Sequence, residues 1–139
     1  MPSPAVAGEE GGRPAAPSGT VLLVEGDAAV RKVAAGMLAR LGFVVLVAQD
    51  GSTALELFRQ RQAEIRCVLC DLTMSGMDGW ATLTALRQIA PGLPVILASG
   101  YDVAQAMTVA HLDLPQAFLV KPFQMQALRD ALAQALAGT

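Results

Sequence analysis

Four polar side chains each follow a short run of apolar residues. They are Glu25, Asp71, Ser99 and Lys121. If the apolar runs are parallel strands, all four side chains lie at the same edge of one sheet, where open α/β sheets bind their ligands. Two carboxylates, a hydroxyl and an ammonium at one point suit the binding of a metal ion together with a phosphoryl group.

Asp71 is the candidate nucleophile of this group, because a carboxylate that attacks phosphorus forms an acyl phosphate. Mg²⁺ suits such a step, since it binds one or two carboxylates and a phosphate oxygen. Glu25 and Asp71 can supply the carboxylates, and the backbone carbonyl of Thr73 can supply a third oxygen. Ser99 could donate a hydrogen bond to one phosphoryl oxygen, and Lys121 could pair with another.

The elements that would position these groups alternate along the chain. Apolar runs indicate strands at 20–25, 43–48, 66–71, 93–98 and 117–120. Helical spacing indicates helices at 28–41, 52–62, 79–89, 102–112 and 124–136, the first ended by Gly42 as a C′ glycine. This α/β alternation predicts βαβ units and a parallel sheet covered by helices on both faces. Right-handed crossovers then bring the carboxyl ends of all strands to one edge.

The bulk properties indicate one globular domain. The chain has 139 residues, 53% of them hydrophobic, and a formal net charge of -2. No basic face stands out, so we expect no direct nucleic-acid partner. No uncharged apolar stretch reaches the roughly 18 residues that span a bilayer, and no secretory signal is visible, so cytoplasmic localisation and no membrane partner are expected.

Residues 1–19 form a Pro/Gly/Ala-rich segment without apolar periodicity, which predicts a disordered tail before a domain at 20–139. The two cysteines, Cys67 and Cys70, have the spacing of a redox or metal pair. On a strand, however, residues three apart point to opposite faces, with Cα atoms about 10 Å apart. Two buried, unpaired thiols are the expectation.

Four strings of the sequence resemble the receiver domain of bacterial two-component response regulators. They are Val-Leu-Leu-Val-Glu25-Gly26-Asp27, Cys-Asp71-Leu-Thr-Met-Ser-Gly-Met-Asp78-Gly79, Leu-Ala-Ser99-Gly-Tyr and Phe118-Leu-Val-Lys121-Pro122-Phe. Their order and spacing match the family from Thr20 to the C-terminus. Each string alone is common, and the agreement of all four on successive strands is specific.

The resemblance implies a three-layer flavodoxin-like (βα)5 fold with strand order 2-1-3-4-5. It implies that Asp71 accepts a phosphoryl group, with Mg²⁺, from a histidine kinase or a histidine phosphotransfer protein. Ser99 would be the switching hydroxyl, and Phe118 the aromatic side chain that changes rotamer with it. Lys121 would be the family's lysine, followed by a cis peptide bond to Pro122.

Two departures from the family pattern bear on function. The family usually carries two adjacent acids after its first strand, but this chain has Glu25-Gly26, which puts its magnesium affinity in doubt. Asp27, one residue on, is either a further metal ligand or the N-cap of the first helix. Leu114-Pro115-Gln116 also replaces the usual Gly/Ala-rich approach to the fifth strand.

Three functions are compatible with these residues. The first is a phospho-acceptor module, stand-alone or part of a longer hybrid kinase, as a monomer or weak dimer. The second is a pseudo-receiver that binds partners without phosphorylation, because Gly26 replaces the second acid. The third, an aspartate-nucleophile phosphatase, would need an acid where Thr73 stands, so we expect no enzymatic turnover of external substrates.

Overall fold

The computed structural model describes residues 19–74, 76–100 and 114–137. Most of the predicted tail at 1–19 and the predicted helix at 102–112 lie outside these ranges. Within them, the strands are β1 Thr20–Val24, β2 Val44–Ala48, β3 Ile65–Asp71, β4 Val95–Ser99 and β5 Ala117–Val120. The helices are α1 Ala28–Arg40, α2 Gly51–Arg61, α3 Gly79–Ile89 and α4 Met125–Leu136.

The five strands form one sheet in the order β2-β1-β3-β4-β5, and each neighbouring pair is parallel. This confirms the order that the family resemblance implies. The largest difference in bounds is at β4, which begins at Val95 rather than at Leu93. Pro94 separates the two positions and has no N–H to donate to a strand ladder.

Helices cover both faces of the sheet, which gives the predicted three layers. One core lies between the sheet and helices α1 and α4, and the other between the sheet and helices α2 and α3. Cys67 belongs to the first core and Cys70 to the second, and both are buried free thiols, as predicted. Burial raises the pKa of the Cys67 thiol to about 12, so it stays protonated and unreactive at neutral pH.

The end of α1 follows the Schellman pattern that a C′ glycine permits. Gly42 has a φ of 99°, and its N–H donates to the carbonyl of Ala39 at 3.0 Å. The N–H of Phe43 donates to the carbonyl of Leu38 at 3.2 Å. Leu38 and Phe43 are both buried in the first core. The turn therefore satisfies helix carbonyls and starts β2 at the same time.

Gln116 fastens the amino-terminal edge of the sheet, a role that the sequence did not indicate. Its Oε1 accepts hydrogen bonds from Arg87 Nη2 at 2.6 Å and from the backbone N–H of Val95 at 2.8 Å. Its own carbonyl accepts one from Gln134 Nε2 at 3.0 Å. One residue before β5 thus joins α3 and β4 through its side chain and α4 through its backbone carbonyl.

None of the helices in the described part of the chain has the length and apolar character of a membrane span.

We predict opposite effects for alanine at two glycines around α1. Gly42→Ala should lower the free energy of unfolding by about 1–2 kcal/mol, because the left-handed backbone strains a Cβ. Gly36→Ala should raise it by about 0.5–1 kcal/mol, because Gly36 lies in the helix and a Cβ there meets nothing within 4 Å. Urea unfolding of both variants checks this, and equal effects would contradict it.

Candidate functional site

The register of the sheet brings the predicted site residues to its carboxyl edge. Cys70 pairs with Val24, which places Asp71 beside Glu25. Ser99 pairs with Val120, which places Lys121 at the end of the neighbouring strand. Glu25, Asp71 and Ser99 are only 5%, 7% and 3% exposed. The four groups therefore lie at one edge of the sheet, and three of them are almost completely shielded from water.

Lys121 joins the two carboxylates. Its Nζ lies 3.0 Å from Oε1 of Glu25 and 3.2 Å from Oδ1 of Asp71, and its side chain is 21% exposed. Its backbone N–H donates to the carbonyl of Ser99 at 2.7 Å, which ties the lysine to the end of β4. The Lys121–Pro122 peptide bond is cis, as the resemblance implied. One ammonium thus lies between two acids from different strands.

The electrostatics of the site reflect its burial. Burial raises the pKa of Asp71, the negative charge of Glu25 raises it further, and Lys121 only partly offsets both. Burial alone would lower the pKa of Lys121, but its hydrogen bonds and ion pairs with Glu25 and Asp71 outweigh this and raise it. The lysine is therefore firmly cationic, and a second positive charge at this point would relieve the repulsion between the acids.

Asp27 caps α1 in the structure. Its Oδ1 accepts the backbone N–H groups of Ala29 at 2.9 Å and Val30 at 3.0 Å. Its own N–H donates to Oε2 of Glu25 at 3.1 Å. Of the two roles that the sequence left open for Asp27, the structure has the helix cap. A role as a metal ligand stays a prediction.

The loop after β3 is held close to Asp71 by main-chain contacts. The N–H of Thr73 donates to Oδ1 of Asp71 at 3.3 Å, while a metal-binding role of the Thr73 carbonyl stays a prediction. The N–H of Gly79 donates to the carbonyl of Leu72 at 2.8 Å. A Cβ at position 79 would lie 2.6 Å from Leu72 Cα and 2.8 Å from the carbonyl oxygen of Asp71, so only glycine fits there.

Two contacts near the site carry no signal in the sequence. Arg31 Nη1 donates to the carbonyl of Glu25 at 2.8 Å, which adds a second cation beside the acids. Phe118 packs against Trp80 with ring centroids 5.9 Å apart and an angle of 61° between the planes, an edge-to-face arrangement. The first contact connects α1 to the residue that follows β1, and the second connects α3 to β5. Residue types and their spacing indicate neither contact.

Comparison with known proteins decides the family. The family model of the response regulator receiver domain matches residues 21–133. The chain belongs to this family. The match includes all five strands of the sheet except the first residue of β1, and every residue placed at the carboxyl edge. The domain therefore has the receiver fold and belongs to a family of two-component signalling proteins.

The relatives show the same domain inside longer proteins. The transcriptional regulatory protein ZraR of Escherichia coli O157:H7 is 32% identical over 123 residues, which are 86% of this chain and 26% of that protein. The sensor kinase CckA of Brucella abortus is 34% identical over 119 residues, 86% of this chain and 13% of that kinase. The crystal structure of the receiver domain from the hybrid histidine kinase CckA is 33% identical, with a TM-score of 0.70, and covers 85% of this chain and 99% of that one.

The donor set of this receiver domain fits a magnesium ion only minimally. The described residues contain no group of three or more His, Cys, Asp or Glu side chains that could hold a metal. Glu25 and Asp71 are nevertheless close enough to share one lysine ammonium. Two carboxylates are what a protein usually gives to Mg²⁺ when a phosphoryl group completes the site. The residues therefore fit the ion, with fewer acids than the family pattern.

We predict that Asp71→Asn stabilises the receiver domain increasingly as pH rises. The raised pKa means that folded Asp71 holds its proton more tightly than the unfolded chain does. Its contribution to stability is therefore complete below the unfolded pKa of about 4 and is lost as pH rises through the folded pKa. Asparagine does not ionise. Urea unfolding between pH 4 and 8 should show a growing advantage of the variant, and a constant difference would contradict this.

Proposed function

We propose that Asp71 accepts a phosphoryl group from a phosphohistidine of a histidine kinase or a histidine phosphotransfer protein. The observation that carries the proposal is the position of Lys121 Nζ, within 3.2 Å of Asp71 and within 3.0 Å of Glu25. A cation at this distance from the acceptor is placed to meet the charge of an incoming phosphoryl group. Membership of the receiver family supports the same role.

In this transfer, an oxygen of Asp71 forms a bond to phosphorus while the phosphorus–nitrogen bond of the donor histidine breaks. The imidazole leaves with the electron pair of that bond. Lys121 moves from the free carboxylate to a phosphoryl oxygen, and the hydroxyl of Ser99 donates to another. The burial of Asp71 and Ser99 limits the water that could compete with these groups.

Glu25, Asp71 and the carbonyl of Thr73 would hold Mg²⁺ at this site. The ion, when bound, supplies positive charge that lowers the cost of bringing a phosphoryl group to two acids. Glu25 contributes through its buried carboxylate, which Lys121 and the N–H of Asp27 already orient. Arg31 fixes the carbonyl of Glu25 and so limits the movement of this acid.

The output that we propose is a change of partner binding rather than turnover of a substrate. Phosphorylation adds charge at Asp71, and Ser99 and Phe118 would carry the change away from the acceptor. The chain spans 26% and 13% of the length of two curated relatives, a transcriptional regulator and a sensor kinase. A receiver of this kind therefore works inside a regulator or a hybrid kinase, or as a separate module.

A pseudo-receiver is the second candidate, and one observation favours it. Gly26 provides no carboxylate, and Asp27, the nearest replacement, uses Oδ1 to cap α1. Glu25 is then the one carboxylate after β1 that is left to bind a metal beside Asp71. In that case, the domain would bind partners in a single state. Magnesium affinity separates the two candidates.

We predict that Mg²⁺ changes the fluorescence of Trp80, the single tryptophan of the chain, and that beryllofluoride changes it further. Trp80 lies in the first turn of α3, directly after Gly79, which packs on the backbone of Asp71 and Leu72 at the start of the loop after β3, here called the acceptor loop. Asp71→Asn is the control and should weaken both responses. No response at millimolar Mg²⁺ in a chain that circular dichroism shows to be folded would favour the pseudo-receiver.

Two further variants test the acids after β1. Gly26→Asp should tighten Mg²⁺ binding about tenfold or more, because it adds a charge close to the ion. A Cβ at position 26 would lie 3.6 Å from the carbonyl oxygen of Gln49, so the side chain fits. Asp27→Asn keeps a good N-cap and removes the charge. Unchanged Mg²⁺ binding is expected, and a large loss would make Asp27 a ligand after all.

A further inference from the structure

We propose that Trp80 is a positioning residue that holds the ring of Phe118 in its described orientation and thereby opposes the response to phosphorylation. The inference rests on the proposed function and adds a residue to it. The edge-to-face contact between the two rings, with centroids 5.9 Å apart, carries the proposal.

Trp80 is held firmly relative to the acceptor. The side chain of Asp78 accepts the N–H of Ala81 at 2.8 Å, and the hydroxyl of Thr82 donates to the carbonyl of Asp78 at 2.8 Å. Gly79, just before Trp80, packs directly on the backbone of Leu72. Main-chain contacts therefore connect the loop after Asp71 to the first turn of α3, and the backbone of Trp80 cannot shift without disturbing them.

Phe118 lies on the same face of the sheet as Ser99. In the register of β4 and β5, Phe118 pairs with Leu97, and both side chains belong to the core on the side of α2 and α3. Ser99, two residues after Leu97, points to that same face. The ring that Trp80 contacts is therefore the one placed to respond when the hydroxyl of Ser99 moves.

The contact between Trp80 and Phe118 opposes the response to phosphorylation because it is formed in the conformation with an unmodified Asp71. Here Lys121 pairs directly with the Asp71 carboxylate, at 3.2 Å, which is the arrangement of an unmodified acceptor. If Phe118 turns when Lys121 and Ser99 move to a phosphoryl group, the contact with Trp80 breaks. Edge-to-face pairs of this kind change an equilibrium by about twofold to tenfold. Removing Trp80 should therefore favour the responding state by that factor.

The test follows the ring of Phe118 directly. 4-Fluorophenylalanine incorporated at Phe118 of the full chain gives one ¹⁹F signal, which is recorded during titration with beryllofluoride in the presence of Mg²⁺. Trp80→Leu should shift this signal before any titration and should lower the half-saturating beryllofluoride concentration about twofold to tenfold. Trp80→Phe keeps an aromatic partner and should stay within about twofold of the wild-type value.

Ile89→Ala is the matched control, because Ile89 packs against the same core from the other end of α3. It should leave the ¹⁹F signal and the titration unchanged even if it lowers stability. Beryllofluoride binding that is unchanged or weaker in Trp80→Leu, or equally tightened in Ile89→Ala, would overturn the inference alone. A wild-type chain that does not bind beryllofluoride would overturn the proposed function and the inference together.

Discussion

The ion pairs of Lys121 with Glu25 and Asp71 are the interaction on which the site depends. Burial raises the pKa of Asp71, and repulsion by the buried carboxylate of Glu25 raises it further, so two acids at this point are costly. Lys121 reaches both acids only because β5 lies next to β4 and its backbone is bonded to Ser99. The charge balance of the site therefore depends on the order of the strands, because a different neighbour for β4 would take Lys121 away from the two acids.

Most acids at the carboxyl edge serve structure rather than chemistry. Asp27, Asp50 and Asp78 cap helices α1, α2 and α3, and each accepts at least one backbone N–H of the first turn. Asp27 and Asp50 start their helices within three residues of a strand end, whereas Asp78 follows the longer loop after β3. Glu25 and Asp71 differ from them, because their carboxylates turn toward Lys121. Asp27 therefore has a structural role that does not depend on a metal, and its role as a ligand stays a prediction.

The aromatic pair and the acceptor loop form one connected unit at the start of α3. Gly79 brings the helix onto the backbone of Leu72, and the next residue, Trp80, meets Phe118 on the edge strand β5. In the proposed switch, a movement at Asp71 would reach β5 through this packed backbone as well as through Ser99. Packed elements of this kind have a few discrete arrangements rather than a continuous range, which suits a switch.

Local residue patterns determined much of this protein in advance. The apolar runs predicted the strands, Gly42 predicted the end of α1, and the spacing of Cys67 and Cys70 predicted opposite faces, because each depends on neighbours along the chain. The strand order came from the resemblance of four strings to a known family. All of these agree with the structure.

Only the tertiary structure decided which side chains meet. Lys121 and Glu25 are 96 residues apart in sequence, and Arg87 and Gln116 are 29 apart. The pairing of Trp80 with Phe118 and the use of Asp27 as a cap also depend on the positions of other elements or on backbone geometry. Residue type states what a side chain can do, but the fold selects its partner, because the distances are set by packing and not by spacing along the chain.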